Sequence, residues 1–187
     1  MPEVLKAPIT EEEYRTYPVY QLPPDYTGDK YIRFMNDCWA MLETRAKQPL
    51  SAAPQEHNYY LPGRYVNISP VGVLSIAPMY LPIVHVSSIK FKRQQSSDWV
   101  DIKRFDVAEG MIYAYDAPVE RGSIGIVRLN YISGYDPIPD DLRLLLALFA
   151  SQRASAGSFS VTAGGDILAT WIPDDIAESI KPYKRVR

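Results

Sequence analysis

The chain has 187 residues, with 20 Lys and Arg against 22 Asp and Glu for a formal net charge of −2. That is long enough for a domain with a real core, and the balance gives no general attraction to nucleic acid or anionic membrane. The single cysteine, Cys38, excludes an intramolecular disulfide framework and a multi-cysteine zinc site, and fits a reducing compartment.

The opening Met1-Pro2-Glu3-Val4-Leu5-Lys6 has no long apolar core, so no signal peptide is expected. The longest apolar run, Leu144 to Ala150, is too short to span a bilayer. The sequence therefore predicts a soluble protein made in the cytoplasm. Residues 1–28 read as an extended N-terminal arm. Pro2, Pro8, Pro18, Pro23 and Pro24 break regular structure, and only Glu11 to Arg15 suit a short turn. Tyr14, Tyr17, Tyr20, Leu22 and Tyr26 are costly to leave in water, so the arm is expected to order on a neighbouring subunit or partner. A disordered tail is the plainer alternative.

Residues 29–47 read as an amphipathic helix. Tyr31, Phe34, Met35, Cys38, Met41, Leu42 and Arg45 recur at three- and four-residue spacing, Thr27 or Asp29 can cap the start, and Pro49 ends it. Residues 48–82 are rich in Pro and Tyr, with short strands predicted at 57–61 and 73–77. Residues 83–132 read as an antiparallel β-meander with strands at 84–92, 99–105, 111–115 and 124–132. Ile83, His85, Ser87, Ile89 and Phe91 are expected on one face of the first. Val127, Leu129 and Tyr131 are expected on one face of the last.

A second long helix is predicted over 139–154, with Pro139 in its first turn and Asp140 and Asp141 at the positive end of its dipole. Residues 155–170 are rich in Gly, Ser and Ala, and read as a loop. The run Ile138-Pro139-Asp140-Asp141-Leu142 is echoed by Ile172-Pro173-Asp174-Asp175-Ile176, which opens a short helix over 173–181 stopped by Pro182. The chain ends on the basic Tyr183-Lys184-Arg185-Val186-Arg187.

The usual marks of catalysis are missing. His57 and His85 lie far apart without Cys or His neighbours, and no H-E-x-x-H, C-x-x-C or EF-hand spacing occurs. Each Asp pair follows a proline, which favours capping over cation binding. Gly122-Ser123-Ile124-Gly125 reads as a tight turn. Gly164-Gly165-Asp166 lacks the Lys-Ser/Thr of a nucleotide loop. No catalytic, cofactor or metal site is predicted, and the chain is expected not to be an enzyme. Lys90, Lys92, Arg93, Lys103 and Arg104 are expected to cluster at one end of the first two meander strands near Trp99. Solvated strand ends explain them about as well as contact with DNA.

Three runs together carry a resemblance: Leu81-Pro82-Ile83-Val84-His85-Val86-Ser87-Ser88-Ile89, then Asp106 to Ile112, then Val127 to Tyr135 followed by Ile138-Pro139-Asp140-Asp141-Leu142. With the early helix, they resemble the head–tail connector (adaptor) proteins of tailed bacteriophages over residues 29–154. Ile83 stands where that family usually has Pro, and Ser133 where it has a smaller Ala. The arm and the 48–82 segment exceed its compact members. The resemblance implies an α+β fold of two long packed helices and a small antiparallel β-meander, with extended N- and C-terminal arms.

It implies a structural component of the virion neck, between head and tail. It further implies a homo-oligomeric ring of about twelve copies below the portal protein. Its neighbours would be a downstream neck or tail-terminator protein and the capsid. Genomic DNA would pass through the lumen without sequence-specific binding. The C-terminal segment would dock to the portal, through Trp171, Ile172, Ile176, Tyr183, Lys184, Arg185, Val186 and Arg187. The corner Gly134, Tyr135, Pro137 and Pro139 is expected to set the angle between sheet and helix, with Gly134 in a backbone geometry that other residues resist. The rival readings are another neck or tail-completion protein, a small carbohydrate- or ligand-binding β module favoured by the many Tyr and Trp, and an enzyme of unfamiliar type built around His57 or His85.

Overall fold

The computed structural model describes residues 7–18, 22–94, 96, 98–120, 122–157 and 172–184. The chain divides into two compact units. A helical unit is built from residues 1–50 and 137–187, and a β unit from residues 51–136 is inserted between these halves.

The helical unit contains α1 (Glu11–Thr16), α2 (Gly28–Ala46), α3 (Asp140–Gly157) and α4 (Asp174–Ser179). A 3-10 turn over Lys181–Tyr183 follows. Where an extended arm is expected, the chain forms α1. Thr10 caps it, its Oγ1 accepting the Glu13 N–H at 3.1 Å. Three glutamates fill its first turn, where the helix dipole favours them. Ile9 and Tyr14 are fully buried, so this segment belongs to the unit's own core.

α2 spans nearly the predicted residues, and Lys47, in a left-handed conformation at φ 58°, ends it ahead of Pro49. Its buried stripe is Tyr31, Met35, Cys38, Trp39, Leu42 and Ala46. Trp39 and Ala46 thus replace Phe34, Met41 and Arg45 of the expected face. The choice of i, i+4, i+7, i+8, i+11 and i+15 tracks the 3.6-residue period more closely. α3 runs three residues past its expected end, and the Pro139 carbonyl accepts the Arg143 N–H at 3.1 Å. α4 is shorter than predicted. Ile180 leaves the α-helix, and Pro182 sits inside the 3-10 turn, where its missing N–H is no loss.

The β unit has more sheet than expected. Its strands are β1 (Ala53–Leu61), β2 (Val66–Ile68), β3 (Leu74–Ile76), β4 (Ile83–Arg93), β5 (Val100–Ile102), β6 (Phe105–Ala108), β7 (Met111–Ala114) and β8 (Gly125–Ser133). They form two antiparallel four-stranded sheets, ordered β1-β8-β4-β5 and β2-β3-β7-β6. The predicted meander is therefore corrected: β8 lies between β1 and β4, and the β6–β7 hairpin belongs to the second sheet. The predicted strand 99–105 breaks at Lys103 and Arg104. There both backbone N–H groups leave the ladder and donate to the Asp116 carboxylate, at 3.2 and 3.1 Å. β6 and β7 are joined by Glu109-Gly110, both at positive φ (52° and 73°), as a two-residue hairpin requires.

Bulges between Ile83 and His85 and between Val86 and Ser88 break the alternation of β4. Val86, Ile89 and Phe91 therefore face the core, while His85 and Ser87 are exposed. β8 keeps strict alternation, with Val127, Leu129 and Tyr131 buried as expected. Tyr59, Leu74, Ile76, Ile89, Phe91, Ile112 and Val127 belong to one apolar cluster fed by both sheets.

The β unit closes on itself where the chain enters and leaves it. Ser51 bridges Tyr135, the Ala52 N–H donates to the Tyr135 carbonyl at 3.2 Å, and the Gly134 N–H donates to the Pro82 carbonyl at 3.1 Å. Gly134 has φ 110°, and a Cβ there would lie 2.2 Å from the Ser51 carbonyl oxygen. No side chain fits between these two backbones.

Candidate assembly surfaces

The structure distributes the expected partner-binding residues unevenly between core and surface. In the N-terminal segment, the Tyr14 hydroxyl donates to the Ala147 carbonyl of α3 at 3.2 Å, and its ring meets Tyr31 edge-on at 6.1 Å. Leu22 is buried. Tyr17 is half-buried and donates to Glu13 at 3.2 Å. Its pKa is raised, first by desolvation and then by the Glu13 charge. Tyr26 packs edge-on against Phe34 at 4.8 Å under the Lys30 ammonium. Tyr20 lies outside the described residues.

At the other end, Ile176 is buried. Ile172, Tyr183 and Lys184 are half-exposed. The Tyr183 hydroxyl donates to Asp141, and its carbonyl accepts from the Gln48 amide. Trp171, Arg185, Val186 and Arg187 lie outside the described residues. Of the corner, Gly134 and Tyr135 close the β unit, Pro137 is exposed, and Pro139 starts α3.

The β unit places a cationic cluster on the outer face of its first sheet. The buried residues of β8 point inward, so Ile126, Arg128, Asn130 and Ile132 point outward. Register sets Lys90 and Asn58 opposite Arg128, Lys92 and Tyr60 opposite Ile126, and Asp101 opposite Lys90. One row, Asn58–Arg128–Lys90–Asp101, therefore crosses all four strands. The Arg128 Nε donates to Asn58 at 3.2 Å and lies 3.8 Å from Glu56, while Lys90 lies 3.4 Å from Asp101. The Trp99 ring covers the cluster, 4.4 Å from the Arg128 guanidinium and 5.6 Å from the Lys92 ammonium.

The basic residues expected at one end of two strands are thus divided. Lys90 and Lys92 join the face, while the Arg93 side chain donates to the Pro118 carbonyl at 3.3 Å. Lys103 and Arg104 sit at the β5–β6 link. Asp116 there has a pKa below the usual carboxylate range. Slight desolvation raises it, and the Arg104 and Lys103 N–H donors outweigh that. Arg128, the centre of the cluster, is absent from the sequence-based group. The alternation of 124–132 signals that it points away from Val127 and Leu129, but its neighbours depend on register.

The helical unit carries the opposite sign where α1 meets the start of α3. Glu11, Glu12 and Glu13 lie on α1, and Asp140 and Asp141 open α3. Arg143 reaches Glu13 at 2.9 Å, and Arg15 pairs with Glu11 at 2.6 Å. Leu144, one turn beyond Asp140, is 42% exposed.

Of the chemistry-bearing side chains elsewhere, His57 and Cys38 are engaged structurally. The His57 Nδ1 lies 3.3 Å from the Tyr131 hydroxyl, and its ring stands edge-on to Tyr80 at 5.3 Å. His85 is exposed at the end of the outer face. The Cys38 thiol is buried beside Arg153, and burial pushes its pKa up to about 11, away from nucleophilic reactivity. An open cavity of about 490 Å³ is lined by Arg93, Gln94, Glu120, Ser123 and Ile124 among others. Among the described residues, no group of three His, Cys, Asp or Glu is placed to hold a metal ion, and no helix is long and apolar enough to cross a membrane.

No protein-family model matches the chain, and no curated protein matches it. Among solved structures it is similar to a chain of the "Virion of native gene transfer agent (GTA) particle". The two share 14% sequence identity with a TM-score of 0.52, over 99% of this chain and 95% of the other. At that identity the likeness is one of fold, and it spans both units.

Proposed function

We propose that the protein is a structural component of a phage-like virion, and within it the head–tail connector that joins the capsid to the tail. The observation that carries this reading is the near-full-length fold likeness to a chain of a gene transfer agent virion. Residues 81–89, 106–112, 127–135 and 138–142, which resemble the connector family, supply a second line. In this reading the protein forms a ring below the portal, DNA passes through its lumen, and the molecule works by fitting its neighbours without catalysing a reaction.

The surface chemistry supports an assembly role. Among the described residues of the β unit, seven large apolar side chains are exposed, including Tyr60 at 70% and Ile124 at 56%. In this reading a neighbouring subunit covers side chains of this kind. A cationic cluster lies on one face of the β unit and an acidic one on the helical unit, which suits contact between unlike faces of successive copies.

The test is deletion of the gene in a strain that produces the particles, with electron microscopy and mass spectrometry of what is released. The expected result is filled or partly filled heads without attached tails, with the protein present in wild-type particles at a low, ring-like copy number. Normal tailed particles from the deletion strain, or wild-type particles without the protein, would overturn the proposal. Tailless heads that still carry a complete ring directly beneath the portal would assign it to neck completion instead.

A further inference from the structure

We propose that the outer face of the β1-β8-β4-β5 sheet is a docking surface for the acidic α1/α3 end of the helical unit of a second copy. The inference rests on the assembly reading above and names the surfaces through which successive copies meet.

The cationic cluster carries a cost. Arg128 and Lys90 are direct cross-strand neighbours, and Lys92 stands in the next outward row. Like charges placed opposite each other destabilise a sheet. Asp101 and Glu56 answer two of the three cations, but their side chains are 60% and 59% exposed, and such exposed pairs hold little energy. A face that only needed to be wetted gains nothing from crowding cations under Trp99. An acidic partner would relieve the repulsion, and Trp99 would give it a flat apolar contact.

The complement of this cluster exists on the same chain. The α1/α3 end carries five carboxylates, Glu11, Glu12, Glu13, Asp140 and Asp141, against the two guanidiniums of Arg15 and Arg143. Leu144 stands among them as a large exposed apolar side chain, an anchor inside a charged rim. A protein surface of mixed sign fits the sheet face better than a phosphate backbone does. Glu56 and Asp101 would repel phosphates, whereas Arg15 can meet them. One surface is on the β unit and the other on the helical unit. The contact is therefore heterologous, and its repetition builds a ring or a filament.

A charge swap tests this on the full-length protein. One variant carries Lys90→Glu and Lys92→Glu, and the other Glu12→Lys and Asp140→Lys. Circular dichroism checks that both remain folded, and sedimentation velocity at low salt reads association. The wild type is expected to self-associate. Each variant alone should associate about tenfold or more weakly, because like charges then face each other. An equimolar mixture should regain association, because each altered face meets an altered partner or a native one of opposite sign. A wild type that stays monomeric at every concentration, variants that associate like the wild type, or a mixture that recovers nothing would each overturn the proposal. Duplex DNA binding that the Lys variant loses while its self-association persists would assign the face to nucleic acid and overturn it as well. The particle experiment is read separately. Protein found in particles with charge-insensitive association removes this inference and keeps the virion reading; the converse result does the opposite.

Discussion

Gly134 is where a single atom decides whether the β unit can close. Its φ of 110° lies in a region that residues with a Cβ resist, and the space a Cβ would need is occupied by the Ser51 carbonyl at 2.2 Å and the Ala52 nitrogen at 2.8 Å. These are backbone atoms held by the Ser51–Tyr135 bridge, so no rotamer change relieves the overlap. Gly134→Ala is expected to destabilise the β unit by roughly 2–4 kcal/mol, and Gly134→Val by more. The measurement is a urea or thermal melt followed by far-ultraviolet circular dichroism, and an unchanged midpoint for the alanine variant would refute the argument. This position was legible in the sequence because a Gly between a strand and a proline-rich turn signals unusual backbone. The partner that makes it irreplaceable was not, because Ser51 is distant in sequence and only the pairing of β1 with β8 brings it there. Arg128 teaches the same lesson from the other side. Its outward direction followed from alternation, but its neighbours Lys90, Asn58 and Trp99 came from register.

At the scale of elements, periodicity predicted existence and type better than pairing. The helices over 29–47 and 139–154 and the last strand were readable because each repeats apolar residues on one face over many residues. The two-sheet arrangement was not, because β2, β3 and β5 have three residues each, too few to show a period. The N-terminal segment misled for a different reason. Five prolines argue against regular structure, yet six residues between them suffice for α1, and Tyr14 supplies the contact that holds it. Short helices are marginal alone and depend on tertiary burial. Tyr14→Ala removes a fully buried ring, its edge-on contact with Tyr31 and its hydrogen bond to Ala147, and should cost about 3–5 kcal/mol. α1 should then detach. Limited proteolysis is expected to cut within residues 7–18 in the variant at protease levels that leave the wild type intact. Equal resistance in both would mean that Tyr14 does not hold the segment. The result also bears on the expected arm, since a segment secured by its own unit in this way must be released before Tyr14 can contact a neighbour.

For the whole molecule, the insertion of one unit into the other makes a stronger claim than either unit alone. Residues 51–136 begin and end at adjacent points, with Ser51 bridged to Tyr135 and Ala53 paired with Ser133. Their apolar cluster is drawn entirely from within the segment. A unit with its own core and neighbouring ends satisfies the conditions for independent folding. The helical unit is different. α1 and α2 come from one half of the chain and α3 and α4 from the other. Tyr14 needs Ala147, Glu13 needs Arg143, and Gln48 needs Tyr183. The excised fragment 51–136 is therefore expected to fold cooperatively, with a β-type circular dichroism spectrum and dispersed amide resonances, while fragment 1–50 alone should remain largely unfolded. Joining residues 50 and 137 through a short Gly-Ser linker should restore the helical unit, because the positions the linker replaces are held close together by the bridge at the base of the β unit. A fragment 51–136 that melts without a cooperative transition would show that its closure depends on the helices, and the chain would then have to be treated as one folding unit with a single stability.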